Sequence, residues 1–340
     1  MLVKLPLSDQ QIIDRLKINY ALEILKLTFL PLGADMNASV YKAETQGQSS
    51  YFIKLKRGCH SDINTVILEL LHSAGIPRII YPIKTNNGQL TQYTDGFTLI
   101  VYQFIEGQNG FNRILTDEQW LILGKTLRQV HEIDMPITIQ QRIKREAYSS
   151  KWRKVVRSLY THIEAGLGEG DEVSLKLLAF MKKNKSIIYQ LVERSEELGQ
   201  KLLSESPEFV LCHSDIHAGN ILIDENNAIY IVDWDEPILA PKERDLMFIG
   251  GGVGNVWNKP HEEALFYKGY GKTEINMKNL AYYRHERIVE DIALFGQDLL
   301  LKTTGGEDRP EMYRHFLAMF VPNGVIEIAF RTNEYSSFNR

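Results

Sequence analysis

Alternating and continuous apolar runs, separated by turn residues, fill the first hundred positions of the chain. Residues 8–17 predict a short helix, with Ser8 as N-cap and Gln11 placed to complete a capping box. Residues 24–31, 39–43 and 50–55 predict strands, divided by the polar turns Gly33-Ala34-Asp35 and Gln46-Gly47-Gln48. Ile63, Val66, Ile67, Leu70 and Leu71 recur at helical spacing, and Gly75-Ile76-Pro77 ends the helix they predict over 63–72. Two more strands are predicted over 79–83 and 97–104, around an Asn86-Asn87-Gly88 turn.

Past Glu106-Gly107 the period lengthens. Trp120, Leu123, Leu127 and Val130 line one face of a helix opened by Thr116-Asp117-Glu118, and Trp152, Val155, Val156, Leu159 and Ile163 mark another. A longer helix is predicted over 174–203 and a further one over 282–300, with short β runs at 209–213, 221–224 and 229–233. The pattern predicts an α+β chain of two parts. A small antiparallel β-rich lobe covers 1–103, a hinge covers about 103–107, and a larger, mainly helical lobe covers 108–340, with a helical insertion over 151–203. No internal period of 20–50 residues marks a solenoid.

Composition narrows the classes. Hydrophobic residues make up 44% of 340 and charged residues 24%, the profile of a globular chain with a sizeable core. A net charge of −4, without a basic run, argues against a nucleic-acid partner. Cys59 and Cys212 cannot form a disulfide framework and lack zinc spacing, so a reducing cytoplasm is expected. No apolar run approaches the ~20 residues of a membrane span, and no membrane partner is expected.

The chemistry concentrates in His213-Ser214-Asp215-Ile216-His217-Ala218-Gly219-Asn220 and in Ile231-Val232-Asp233-Trp234-Asp235. An Asp, an Asn five residues later and a second Asp beyond a β-hairpin suit phosphoryl transfer. That reaction needs Mg²⁺ on phosphate oxygens and a carboxylate that orients the attacking hydroxyl and takes its proton. Asp215 is the candidate base, and Asn220 and Asp233 supply the oxygen ligands that Mg²⁺ prefers. The D-x-x-x-x-N spacing matches the catalytic loop of protein kinases. Tyr51-Phe52-Ile53-Lys54 resembles their V-A-I-K strand, whose lysine holds the nucleotide phosphates. Lys56 shares the strand face with Lys54, which is preferred because two buried-type residues precede it.

H-x-D-x-H-x-G-N followed by I-x-D-W-D resembles the aminoglycoside phosphotransferase family, as do Leu123–His131 in number order (123–131) and Gly75-Ile76-Pro77. The resemblance covers nearly the whole chain, is strongest over 205–300, and is closest to the aminocyclitol kinases of that family. It implies the two-lobed protein-kinase-like fold, ATP with its adenine edge on the backbone of Gln103, Phe104 and Ile105, Lys54 on the phosphates, and Asn220 with Asp233 on Mg²⁺. It also implies transfer to a hydroxyl of a small cationic aminocyclitol such as spectinomycin, and hence antibiotic resistance.

Two features depart from that pattern. The helix position where a kinase glutamate would pair the strand lysine falls near Asn64, leaving Asp62 and Glu69 as acidic choices. The loop Gly33-Ala34-Asp35-Met36-Asn37 has one glycine, so phosphate cradling falls to other amides or to a side chain such as Asn37. A dicationic acceptor calls for carboxylates or aromatic faces, which makes Glu290, Asp291, Asp235, Trp257 and Tyr283 the substrate candidates. Another small-alcohol kinase (choline-, homoserine- or methylthioribose-type) would have the same fold and loop. A non-catalytic nucleotide-binding regulator is the rival of another class, and the intact set Lys54, Asp215, Asn220 and Asp233 speaks against it.

Overall fold

In the computed structural model, which describes residues 4–31, 37–47, 49–58, 61–166, 170–302, 306–332 and 338–339, Ser8 and Gln11 form the expected capping box. It opens helix α1 (Asp9–Tyr20). The strands β1 (Ile24–Leu30), β2 (Ala38–Thr45) and β3 (Ser50–Arg57) follow. Helix α2 (Ile63–Ser73) then precedes β4 (Gln92–Thr94) and β5 (Phe97–Gln103). The antiparallel sheet runs β1-β2-β3-β5-β4, with Lys54 opposite Val40 on one side and Ile100 on the other. Alternation sends Tyr41, Ala43, Ile53, Leu55, Leu99 and Val101 into one core with Ile12, Leu16 and Tyr20 of α1. Lys54 and Lys56 take the opposite parity on β3.

The expected strand over 79–83 makes only two isolated bridges, Ile79 to Ile231 and Pro82 to Tyr102. Pro82 lies within the run and Pro77 two residues before it, and each lacks the N–H that a continuous ladder needs. The turn Gly33-Ala34-Asp35 and Cys59 lie outside the described residues.

Contacts group residues 1–109 with 133–143 and 221–235 as one compact unit. The reason is a second sheet: strands Ile221–Asp224 and Ile229–Ile231 form a hairpin, and the first of them pairs with β6 (Gly107–Asn109). Gly107 is required there, since a Cβ would stand 2.2 Å from the Ile223 carbonyl oxygen. Ile231 also exchanges backbone hydrogen bonds with Arg78 (2.7 Å) and Ile80 (3.2 Å).

Residues 110–132, 144–220 and 236–340 form the second, mainly helical unit. Helix α3 (Asp117–His131) begins at a Thr116/Gln119 capping box and buries Trp120, Leu123, Leu127 and Val130. The helical stretch expected over 174–203 is two helices, Glu172–Lys183 and Lys185–Leu203. Asn184 breaks it, its side-chain amide turned back onto the Phe180 carbonyl at 2.9 Å, the local competition for which Asn is known. Val156, Tyr160, Leu177, Met181, Leu191, Ile292 and Phe316 share this unit's core. The helix Met277–Gly296 starts earlier than expected because Asn276 caps it, accepting from the Lys278 and Asn279 N–H groups. Among the described residues no helix is long and apolar enough to cross a membrane.

Candidate active site

In the helical unit, strand Val210–Cys212 pairs with Ile238–Ala240 and delivers the chain to the loop that begins at His213. Ser214 takes a left-handed conformation, φ 74°, an uncommon one for a residue with a Cβ. The loop is held from below by Asp245, whose two carboxylate oxygens accept the backbone N–H groups of His213 (2.9 Å) and Ser214 (2.7 Å). Asp245 is fully buried, and its partner His131 lies 3.1 Å away through Nε2, with Nδ1 2.7 Å from the Tyr270 hydroxyl. Three further bonds set the residues that follow. The His213 Nδ1 accepts the Asp215 N–H at 3.2 Å, and the His217 Nδ1 accepts the Gly219 N–H at 2.9 Å. The Asn220 amide donates to the Asp215 carbonyl at 2.8 Å, which ties the two ends of the loop together. His213 and His217 both brace the loop, and His217 also stacks on Phe111 at 5.5 Å.

The Asp215 carboxylate meets Arg287 of the helix Met277–Gly296, whose Nη1 donates to Oδ1. The His217 Nε2 lies 3.5 Å from Oδ2. Arg287 also reaches Asp291 one turn on, with Nε 3.1 Å from Oδ1. Burial opposes ionisation of Asp215, but Arg287 and His217 outweigh it and hold the carboxyl well below the usual carboxylate range. Burial instead dominates at Asp291 and Glu290, pushing both up despite the Arg287 charge. Glu290 makes no hydrogen bond or close ion pair among the described residues, although it feels the Arg287 and Arg244 charges. Arg287 was legible in the sequence only as the i,i+4 partner of Asp291, and its bond to a residue 72 positions away has no local signature.

Trp257 and Tyr283, the aromatic substrate candidates, are both buried in ring packing. Trp257 is 6% exposed and packs edge-on to Trp120 with ring centroids 5.0 Å apart. Tyr283 is 1% exposed, edge-on to Tyr282 at 5.2 Å, with the Arg244 guanidinium over its ring. Both rings are engaged in packing against other aromatic side chains.

This electrostatic frame has a testable consequence for pH dependence. A base whose pKa is depressed stays ionised across neutral pH, so its protonation sets no acid limb there. Removing Arg287 leaves burial unopposed by its largest counterweight, and the Asp215 pKa must rise. Arg287→Met is therefore expected to move the acid limb of kcat/KM upward relative to the wild type. Superimposable pH profiles for the two proteins would separate Arg287 from the base.

In the β-rich unit, the Lys54 Nζ lies 3.0 Å from Asp233 Oδ1 and 2.7 Å from Asp235 Oδ2. The Lys56 Nζ lies 2.8 Å from the same Asp235 oxygen. Asp233 is left-handed, φ 61°, the second such position among the predicted catalytic residues and their neighbours. Burial disfavours the Lys54 charge, but Asp233 and Asp235 hold the ammonium strongly protonated. Asp235, expected on a substrate cation, is engaged with the two lysines of its own unit, and they keep its carboxyl low against the opposing effect of burial. Neither acidic residue expected on α2 reaches Lys54. Asp62 pairs with Arg142, and Glu69 bonds Tyr81 and, at 3.1 Å, Lys84.

At the end of β5 the Phe104 N–H is taken by the Ser50 carbonyl at 2.9 Å, and the Gln103 side-chain amide donates to the same oxygen at 3.0 Å. The Ile105 N–H makes no hydrogen bond among the described residues, which leaves it as this segment's available donor. Asn37 is exposed, and its carbonyl accepts the Arg57 N–H at 2.8 Å. The remainder of the expected phosphate loop, residues 33–36, lies outside the described residues.

A strand lysine paired with an Asp that follows a β-hairpin in one unit, and a loop Asp tied to an Asn five residues on in the other, are each arrangements that phosphotransfer chemistry uses. The model of a phosphotransferase enzyme family matches residues 28–266. The chain belongs to this family. The family's fold extends to the whole chain: a crystal structure of spectinomycin phosphotransferase in complex with ADP and spectinomycin matches with a TM-score of 0.90 and 50% identity, over 97% of this chain and 100% of that one. The AMP-bound complex of spectinomycin phosphotransferase matches with a TM-score of 0.86 and 49% identity, over 96% and 99% of the two chains. An amicoumacin kinase solved with AMP-PNP, Ca²⁺ and Ami shares the fold at 16% identity, with a TM-score of 0.60 over 96% of this chain and 94% of that one. Comparison with curated protein sequences gives no match. Family membership makes the chain an enzyme of phosphoryl transfer with a protein-kinase-like α+β fold, as the loop and strand motifs led us to expect.

Proposed function

We propose that the chain moves the γ-phosphate of ATP to a hydroxyl of spectinomycin or a related aminocyclitol, and so inactivates the antibiotic. Glu290 carries the substrate class: it is a half-buried carboxylate without an ion pair among the described residues, in the same unit as Asp215. Such a group is costly unless a cation arrives to pair with it. The full-length likeness at 50% identity to an enzyme solved with spectinomycin supports an aminocyclitol as that cation.

Asp215 acts as base, orienting the acceptor hydroxyl and taking its proton as the bond to phosphorus forms. Lys54 neutralises charge on the nucleotide phosphates, and the Gln103 carbonyl with the Ile105 N–H reads the adenine edge. The side-chain oxygens of Asn220 and Asp233 suit Mg²⁺, a hard ion that prefers oxygen ligands. When bound, that ion offsets the negative charge that builds on the phosphoryl oxygens. Asp291, held by Arg287, supplies negative field beside Glu290 instead of a free ligand group.

The deciding experiment is ADP release by purified protein with Mg-ATP and spectinomycin, streptomycin, kanamycin, choline or homoserine. Turnover with spectinomycin is expected, with Glu290→Gln raising its KM roughly tenfold or more, the scale of a buried charge losing its partner. Turnover confined to choline or homoserine would assign the chain to another small-alcohol kinase. Nucleotide binding with no turnover on any acceptor would favour the regulator.

A further inference from the structure

The lysine of a kinase strand is held in place by a glutamate on the neighbouring helix. In this chain that helix is α2, and none of its described carboxylates does so. Glu69 is committed to Tyr81 and Lys84, and Asp62, the residue preceding the helix, is committed to Arg142. Asn64 of α2 instead contacts the segment after the hairpin: its side-chain amide donates to the backbone carbonyl of Asp235. Asp235 in turn receives Lys54 at 2.7 Å and Lys56 at 2.8 Å on one carboxylate oxygen. Helix, post-hairpin segment and strand are thus joined in the order Asn64, Asp235, Lys54. Lys54 is only 13% exposed and Asp235 28%, so water screens this pair weakly.

Two carboxylates touch Lys54, and they differ in their other duties. Asp233 is the candidate metal ligand, and an oxygen given to a cation is lost to the lysine. Asp235 has no such competing duty, and Asn64 fixes its backbone. We infer that Asp235 is the positioning residue of the nucleotide lysine, taking over from the helix glutamate, with Asn64 as the strut that orients it. This inference rests on the phosphotransfer reading of the site but not on the identity of the acceptor. It also moves Asp235 from the acceptor's side of the reaction to the nucleotide's.

The test is equilibrium binding of ADP and AMP-PNP by calorimetry, without acceptor, to the wild type, Asp235→Asn, Lys54→Met and the double variant. Asp235→Asn is expected to weaken nucleotide binding about tenfold, and the same substitution in the Lys54→Met background is expected to add little, as for two residues acting as one unit. Placing the carboxylate back on the helix, Asn64→Glu in the Asp235→Asn protein, is expected to recover most of the loss. Steady-state kinetics is expected to show the nucleotide KM rising in Asp235→Asn while the acceptor KM stays within about twofold. An undiminished effect of Asp235→Asn in the Lys54→Met background would overturn the inference. So would a rise in the acceptor KM with nucleotide affinity intact, which would return Asp235 to the substrate. Should Asp235→Asn not fold, Asp235→Glu serves in its place: it keeps the charge, and is expected to bind nucleotide within threefold of the wild type, whereas a full loss with normal folding would count against the inference. If wild-type protein binds nucleotide but transfers to none of the acceptors tried, the proposed acceptor fails while these binding measurements still decide the role of Asp235.

Discussion

Asp215→Asn is expected to lower kcat by about 10²–10⁴-fold, the range of a positioned general base, while nucleotide affinity remains near that of the wild type. The substitution is nearly isosteric and keeps an oxygen for Arg287, which also retains Asp291 as a charged partner at 3.1 Å. The loop itself is secured by bonds that do not use the Asp215 side chain: His213 and Ser214 N–H on Asp245, and the Asp215 N–H on His213. Its backbone should therefore survive, and the loss should report the missing proton acceptor. Single-turnover kinetics with saturating spectinomycin checks this, because it separates the transfer step from product release. Turnover within tenfold of the wild type would remove Asp215 from the role of base.

Asp233→Asn is expected to raise the Mg²⁺ concentration for half-maximal activity at least tenfold and to cut turnover by roughly 10²–10³-fold, as expected when charge stabilisation at the phosphoryl group is lost. Asn is the instructive replacement. Asp233 sits at φ 61°, where Asn is tolerated and Ala is strained, so the variant tests charge without also testing the backbone. Lys54 keeps Asp235 as its partner at 2.7 Å, so the lysine should remain in place. A Mg²⁺ titration at fixed ATP decides the matter, and an unchanged midpoint would end the assignment of Asp233 as a metal ligand.

What the sequence made legible is what depends on neighbours in the chain. The Ser8/Gln11 and Thr116/Gln119 capping boxes, the helical faces of α2 and α3, and the spacing of Asp215, Asn220 and Asp233 are all short-range patterns, and they could be read directly. What escaped depends on closure over distance. Asp245 meets the His213 and Ser214 amides from 32 and 31 residues away, His131 meets Asp245 from 114, and Arg287 meets Asp215 from 72. No periodicity encodes such pairs. The aromatic candidates show the same limit: Trp257 and Tyr283 have the right chemistry for a sugar-like ring, but their burial is a property of the packed unit and not of the residue. The break at Asn184 shows the reverse case, a single side chain overriding a stretch whose apolar spacing alone reads as continuous helix.

The hairpin Ile221–Asp224 and Ile229–Ile231 places a timing constraint on the molecule's birth. It completes a unit whose other strands end at residue 109, so the ribosome must add well over a hundred residues before the partner of β6 exists. At ~5–20 residues per second that delay is on the order of ten seconds. Throughout it, the Gly107–Asn109 edge and the Arg78–Ile80 backbone groups await partners not yet synthesised. Until then those groups are open to non-native pairing. A gene cut at the end of β6 would leave that condition permanent, since the fragment 1–109 lacks the strands that close it.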